Sequence, residues 1–163
     1  MNREQRRAAE RAAKQTPRGR RQRHYAAANL PRPDEVHRAF HPLDSLLEQI
    51  LATGELETAE GIAIMRGHDA GEWYTAPDAI DGWIEFWERA TRRLSLPTVD
   101  LAPLRQLVEA FRDDLPLTRS AIEDCIDCQT KLRAIYRRCN VYQIRDVAHE
   151  EQIAIQLEAI HGG

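Results

Sequence analysis

The chain has 163 residues, a length that suits one folded domain with a tail, and its 42% hydrophobic and 30% charged residues fit a single core beneath a strongly solvated surface. The longest aliphatic run, Ile62 to Met65, falls far short of the roughly 20 apolar residues of a membrane-spanning helix, and the Arg-rich start lacks the apolar stretch of a secretory signal. Three cysteines are too few, and odd in number, for a disulfide scaffold.

The formal charge of −3 averages two opposed regions. Residues 1–24 carry nine basic side chains, Arg3, Arg6, Arg7, Arg11, Lys14, Arg18, Arg20, Arg21 and Arg23, against Glu4 and Glu10, a balance of +7. The remainder carries a balance of −10. This asymmetry predicts a basic arm and linker over 1–33, whose nine cations are candidate nucleic-acid contacts, on an acidic helical domain over 34–163. The acidic body competes for the same arm, through contacts screened beyond roughly 8 Å at physiological salt.

Residues 3–15 contain good helix formers and neither Gly nor Pro. Arg3–Arg7 and Arg7–Arg11 repel at i,i+4 spacing, so a polyanion along that face would favour the helix. Thr16-Pro17-Arg18-Gly19 breaks it, and the stretch to Pro33 reads as linker. His41-Pro42-Leu43-Asp44 is predicted to open a helix with Leu43, Leu46, Leu47, Ile50 and Leu51 inward, ended by Gly54. A helix through both His37 and His41 is not expected, because Pro42 follows. Gly61–Met65 and Glu72–Thr75 flank two glycines and an aspartate, which predicts one small β-hairpin at about 61–75.

Thr75-Ala76-Pro77-Asp78 resembles a capping box, opening a helix with Ile80, Trp83, Ile84, Trp87, Ala90 and Leu94 on one side. Asp100 caps the next helix, which turns Leu101, Leu104, Leu107, Val108 and Phe111 inward. Ser120 and Glu123 suit a second capping box, starting a long helix to about Cys139. Its seam of Ile122, Cys125, Gln129, Leu132, Tyr136 and Cys139 repeats at 4,3 spacing, with Asn140 as a left-handed C-cap. A last helix over about 143–160 is expected to bury Ile144, Val147, Ile153, Leu157 and Ile160. The fold class is mainly α: a compact bundle of about five or six helices with one hairpin and the Arg-rich arm.

Cys125-Ile126-Asp127-Cys128 is the motif closest to chemistry, and Cys139 and His149 complete a zinc set by number. The pair lies within a continuous helical pattern, so ordinary buried cysteines are the better reading and neither metal nor cofactor is expected. No nucleophile pairs with a histidine and an acid in a recognisable local signature, and no glycine loop has phosphate-cradling spacing. The chain therefore reads as a non-enzymatic binding protein, with an enzyme built on Cys125, Cys128 or an exposed histidine as the outlying option. A helix-turn-helix over 101–139 is disfavoured, because Glu123, Asp124 and Asp127 sit where a recognition helix would meet phosphates.

All three tryptophans fall within 15 residues. Trp83 and Trp87 are expected to pin the hairpin to the core, leaving Trp73, Tyr74 and Phe86 as candidate partner contacts. The start Met1–Lys14 resembles the opening of many small phage and prophage proteins. The stretches Gly71-Glu72-Trp73-Tyr74 and Asp81-Gly82-Trp83-Ile84-Glu85-Phe86-Trp87 look like those of phage accessory proteins of unknown function. The resemblance implies a bacterial cytoplasmic setting and a protein that acts by binding host or phage machinery. Two other roles fit the same sequence: an inhibitor whose acidic face mimics nucleic acid, or an assembly component that self-associates through the seam at 118–139.

Overall fold

The computed structural model describes residues 3–11, 29–69 and 71–161. Residues 3–11 are helical (α1). Then follow α2 (Pro33–Thr53), β1 (Thr58–Ala59), β2 (Ile62–Arg66), β3 (Trp73–Thr75), α3 (Ala76–Leu94), α4 (Ala102–Arg112), α5 (Arg119–Tyr136) and α6 (Val141–His161). The mainly α class and the small antiparallel sheet are as the periodicity predicts. The expected break at Thr16–Gly19 and the positions Lys14, Arg18, Arg20, Arg21 and Arg23 lie outside the described residues.

Helix α2 starts earlier than expected and runs through Pro42. Pro33 sits in its first turn, where a missing N–H costs nothing, and Glu35 reaches back to accept from the Arg32 N–H at 3.3 Å. An internal proline costs about 3 kcal/mol. Burial of Val36 and Phe40 before it and of Leu43, Leu46 and Leu47 after it offsets that cost, so tertiary packing overrides the local breaker.

The sheet has the order β1-β2-β3, one strand more than expected. The extra hairpin turns on Glu60 and Gly61, both at positive φ (54° and 79°), as a two-residue primed turn requires. The second hairpin is the expected one and pairs Ile64 with Thr75, Met65 with Tyr74 and Arg66 with Trp73. Ala63 and Met65 are the buried side chains of the sheet.

Helix α3 is central, in contact with α4, α6 and the sheet, while α5 packs on α2 and α4. Three covered sides widen its buried arc beyond one stripe. Phe86 is therefore buried at 7% exposure, which corrects its reading as a partner contact. It stacks on Trp83 (5.6 Å between centroids) and meets Trp87 edge-on. Phe40 and Tyr136 complete the aromatic cluster.

The α5 seam lies inside the molecule as its spacing predicts, with Ile122, Cys125, Gln129 and Leu132 each 1% exposed. Its cap is Thr118, whose hydroxyl accepts from the Ala121 N–H, in place of Ser120. Asn140 also changes role. It is not left-handed, and its side chain accepts from Tyr142 N–H to start α6. In α6, Ile144 and Val147 are buried, whereas Ile153, Leu157 and Ile160 are exposed, contrary to expectation, because no described element covers that face.

Gln129 is the one fully buried polar side chain among the described core residues. Its amide oxygen accepts from the Trp83 indole N–H at 2.9 Å, and its amide nitrogen donates to Asp44 at 3.1 Å. Asp44 also pairs with Arg133, whose guanidinium covers the Phe40 ring. The network ties α2, α3 and α5 together. Gln129→Leu, leaving the indole donor and one carboxylate oxygen unsatisfied, should lower unfolding stability by about 1–3 kcal/mol in urea titration; an unchanged midpoint would remove the network from the stability account.

Glu151, between α6 and α3, has a buried carboxylate oxygen with no partner. Burial raises its pKa above the ordinary 4.5, helped by Glu85 and opposed by Arg89. A raised folded pKa means the charged form is penalised, so stability falls as pH climbs from 4.5 through the folded value. Glu151→Gln should accordingly raise the melting temperature at pH 7 and leave it nearly unchanged below about pH 4. Calorimetry at both pH values checks this, and an equal effect at both would contradict it.

Candidate functional site

Strand β3 is an edge strand, and it sets Trp73 and Tyr74 at the molecular surface, 43% and 48% exposed. Each ring is held in place. The Arg66 guanidinium, directly cross-strand, lies 4.8 Å from the Trp73 ring centroid. The Tyr74 hydroxyl donates to Glu72 at 3.2 Å, and that carboxylate pushes the phenol pKa up. Gly67 makes the arrangement possible. A Cβ there would stand 2.7 Å from both the Glu72 carboxylate and the Tyr74 ring, so any larger residue must displace the pair. The strand that carries the two rings is held to the core through its pairing with β2, whose Met65 is buried.

A groove of about 450 Å³ adjoins this edge, between α2 and the sheet, walled by His41, Gln49, Glu57, Arg66, His68 and Trp73. Continuity of α2 through Pro42 stacks His37 on His41 at 4.5 Å, and His68 approaches His37 edge-on at 6.5 Å. Sequence reasoning scattered these histidines because it started the helix at His41. Parallel rings do not aim their nitrogens at one point, and among the described residues no three ligand-type side chains are arranged to hold a metal ion. Arg66 and the histidines carried no motif; only the pairing of β2 with β3 and the fold of α2 bring Arg66, His41 and His68 beside Trp73.

The cysteines are packing residues. Cys125 and Cys128 donate weakly to the carbonyls of Pro103 and Asp100, at 3.3 and 3.6 Å, which fastens α5 to the start of α4. Burial pushes Cys125 up to about 12 and Cys128 to about 11, so neither thiol supplies a nucleophilic thiolate near neutrality.

Part of the acidic surface is paired within the molecule, while Asp113, Asp114, Asp124 and Asp127 are exposed. Arg112 bridges Asp78 and Asp81, Arg105 pairs with Glu88, and Arg119 pairs with Glu123. Near the end of α5 and just past it, Arg133 is committed to Asp44, while Lys131, Arg137 and Arg138 are exposed. In α1, Arg3, Arg6, Arg7 and Arg11 are exposed, and no ion pair joins them to a carboxylate among the described residues.

The native protein should resist a thiol-specific reagent near pH 8, with Cys125, Cys128 and Cys139 reacting only after denaturation. Fast reaction of any of the three in the folded state, read by absorbance, would overturn their assignment as packing residues.

Comparison of the chain with protein-family models, with characterised proteins and with solved structures finds no significant match, so the functional reading rests on the surface itself.

Proposed function

We propose that this chain is a non-enzymatic accessory binding protein of phage type, working inside a bacterial host cell. Its helical body docks on a protein partner through the Trp73–Tyr74 edge, and its Arg-rich arm adds sequence-independent contact with nucleic acid. The observation that carries the reading is the pair of half-exposed rings on an edge strand, each braced by a charged neighbour. A solitary exposed aromatic is ordinary; two braced rings on one edge strand, one to each face of the sheet, lose little side-chain entropy on binding and anchor a partner that lies along the edge. The arm supports the second half of the proposal through Arg3, Arg6, Arg7 and Arg11, exposed along one helix. The alternative of an acidic nucleic-acid mimic loses Asp78, Asp81, Glu88 and Glu123 to ion pairs within the molecule, but keeps the exposed Asp113, Asp114, Asp124 and Asp127.

The body presents unbalanced acids elsewhere, and these repel a polyanion. Nucleic-acid binding through the arm should therefore be modest and strongly salt-dependent. With about five arm cations engaged on a single strand, log K should fall with log salt at a slope of about −3.5.

Affinity purification from the host, with and without nuclease, tests both halves. A protein partner should persist after nuclease treatment and be lost with Trp73→Ala/Tyr74→Ala, a truncation that costs about 2 kcal/mol or more, some thirtyfold in affinity, at a hot spot. Deletion of residues 1–24 should abolish nucleic-acid retention and spare the protein partner. Full partner binding by the double variant would refute the edge, and undiminished nucleic-acid binding by the deletion would refute the arm.

A further inference from the structure

Helix α6 has two apolar faces, and the fold uses one. At 3.6 residues per turn, Ile144, Val147 and Ala148 share the face that packs into the core, while Tyr142, Ile153, Leu157 and Ile160 cluster about 180° away. Those four are 60%, 43%, 49% and 73% exposed. Past Glu151, every described side chain of α6 is exposed, so its last turns run beyond the cover of α3. A short helix without packing is marginal in water, and one with exposed Ile and Leu gains most from a second apolar surface.

We propose that this outer face of α6 joins two copies of the chain as an antiparallel helix pair. Tyr142, Asp146, His149, Ile153, Leu157 and Ile160 step along one face by three or four residues, the repeat that interlocks with a helix of the same repeat. A second copy supplies one. With the two-fold axis near residue 151, Tyr142 meets Ile160 of the second copy and His149 meets Ile153, while Leu157 falls level with Arg145, which lies at the edge of the face and is turned to Glu35. The seam is then about 27 Å long, and the overhanging turns of each copy lie over the first turns of the other.

Charge supports self-pairing in this register. Asp146 falls opposite Gln156 and Glu150 opposite Gln152, so no like charges face one another. Glu150 is in any case paired with Arg93, and Arg145 with Glu35. The face is a near-neutral window on a body whose balance beyond residue 24 is −10, through which two such bodies can approach. It has no basic fringe to hold an anionic membrane surface. The seam at 118–139 does not offer this contact, because its residues are spent in the core. Pairing of this kind is isologous, closes at two copies and brings two arms together on one nucleic acid, which raises avidity without new arm contacts.

Sedimentation equilibrium on the full chain tests the proposal. The mass should rise with concentration toward twice the 18.7 kDa of one chain. Tyr142→Glu and, separately, Ile160→Glu should return it to monomer with an unchanged circular dichroism melt of the body. Oxidation of a Tyr142→Cys/Ile160→Cys variant should give a covalent dimer that neither single variant gives in that position pairing. A wild-type chain that stays monomeric to about 200 µM, above the micromolar dissociation constants of weak specific interfaces, would overturn the proposal. So would dimers that survive both Glu variants, or vesicle binding through α6 without self-association. Partner capture through Trp73 is a separate readout, unaffected by the Glu variants.

Discussion

The architecture depends on one buried amide. Gln129 has its oxygen on the Trp83 indole and its nitrogen on Asp44, and Asp44 in turn holds Arg133 against the Phe40 ring. A polar side chain at 1% exposure is tolerated in a core only when it is hydrogen-bonded, and here both of its ends are. Aliphatic contacts between helices, such as those of α5 with α2 and α4, tolerate sliding by a fraction of a turn. The amide does not, because a shift of that size breaks two hydrogen bonds at once. It therefore sets the register of the three helices and the orientation of Trp83 within the aromatic cluster.

Function follows from where that register leaves surfaces exposed. Fixing α3 against α2 and α5 fixes the strand that runs directly into it, and so the edge that displays Trp73 and Tyr74. Arg66, Glu72 and the absence of a side chain at Gly67 then hold the two rings. The region with the most suggestive sequence chemistry, Cys125 to Cys128, has the least chemical capacity in three dimensions. Its thiols face the carbonyls of Pro103 and Asp100 in a site where burial disfavours the thiolate.

Much of the bundle was legible in the sequence. The α5 seam, the inward Leu43, Leu46 and Leu47, and the hairpin at 62–75 follow from periodicity, because a residue's face is set by its spacing along the chain. Local signals failed where packing outweighed them. Pro42 lies inside α2 because apolar residues on both sides bury the helix. The first hairpin was missed because Glu60-Gly61 is not among the strongest turn dipeptides, although its geometry is the common one. Phe86 read as exposed because a single stripe was assumed for a helix that three neighbours surround.

The sequence by itself determined the helical class, the exposed aromatic pair on a strand and the segregation of cations toward one end, since each depends on residue order alone. Only the tertiary structure decided that Phe86 is internal, that His41 of α2 and His68 of the β2–β3 turn gather beside Trp73, and that α6 keeps an uncovered apolar face. Those outcomes depend on how many neighbours each helix acquires. Neighbour number is a property of packing between distant segments, and spacing along one segment does not encode it.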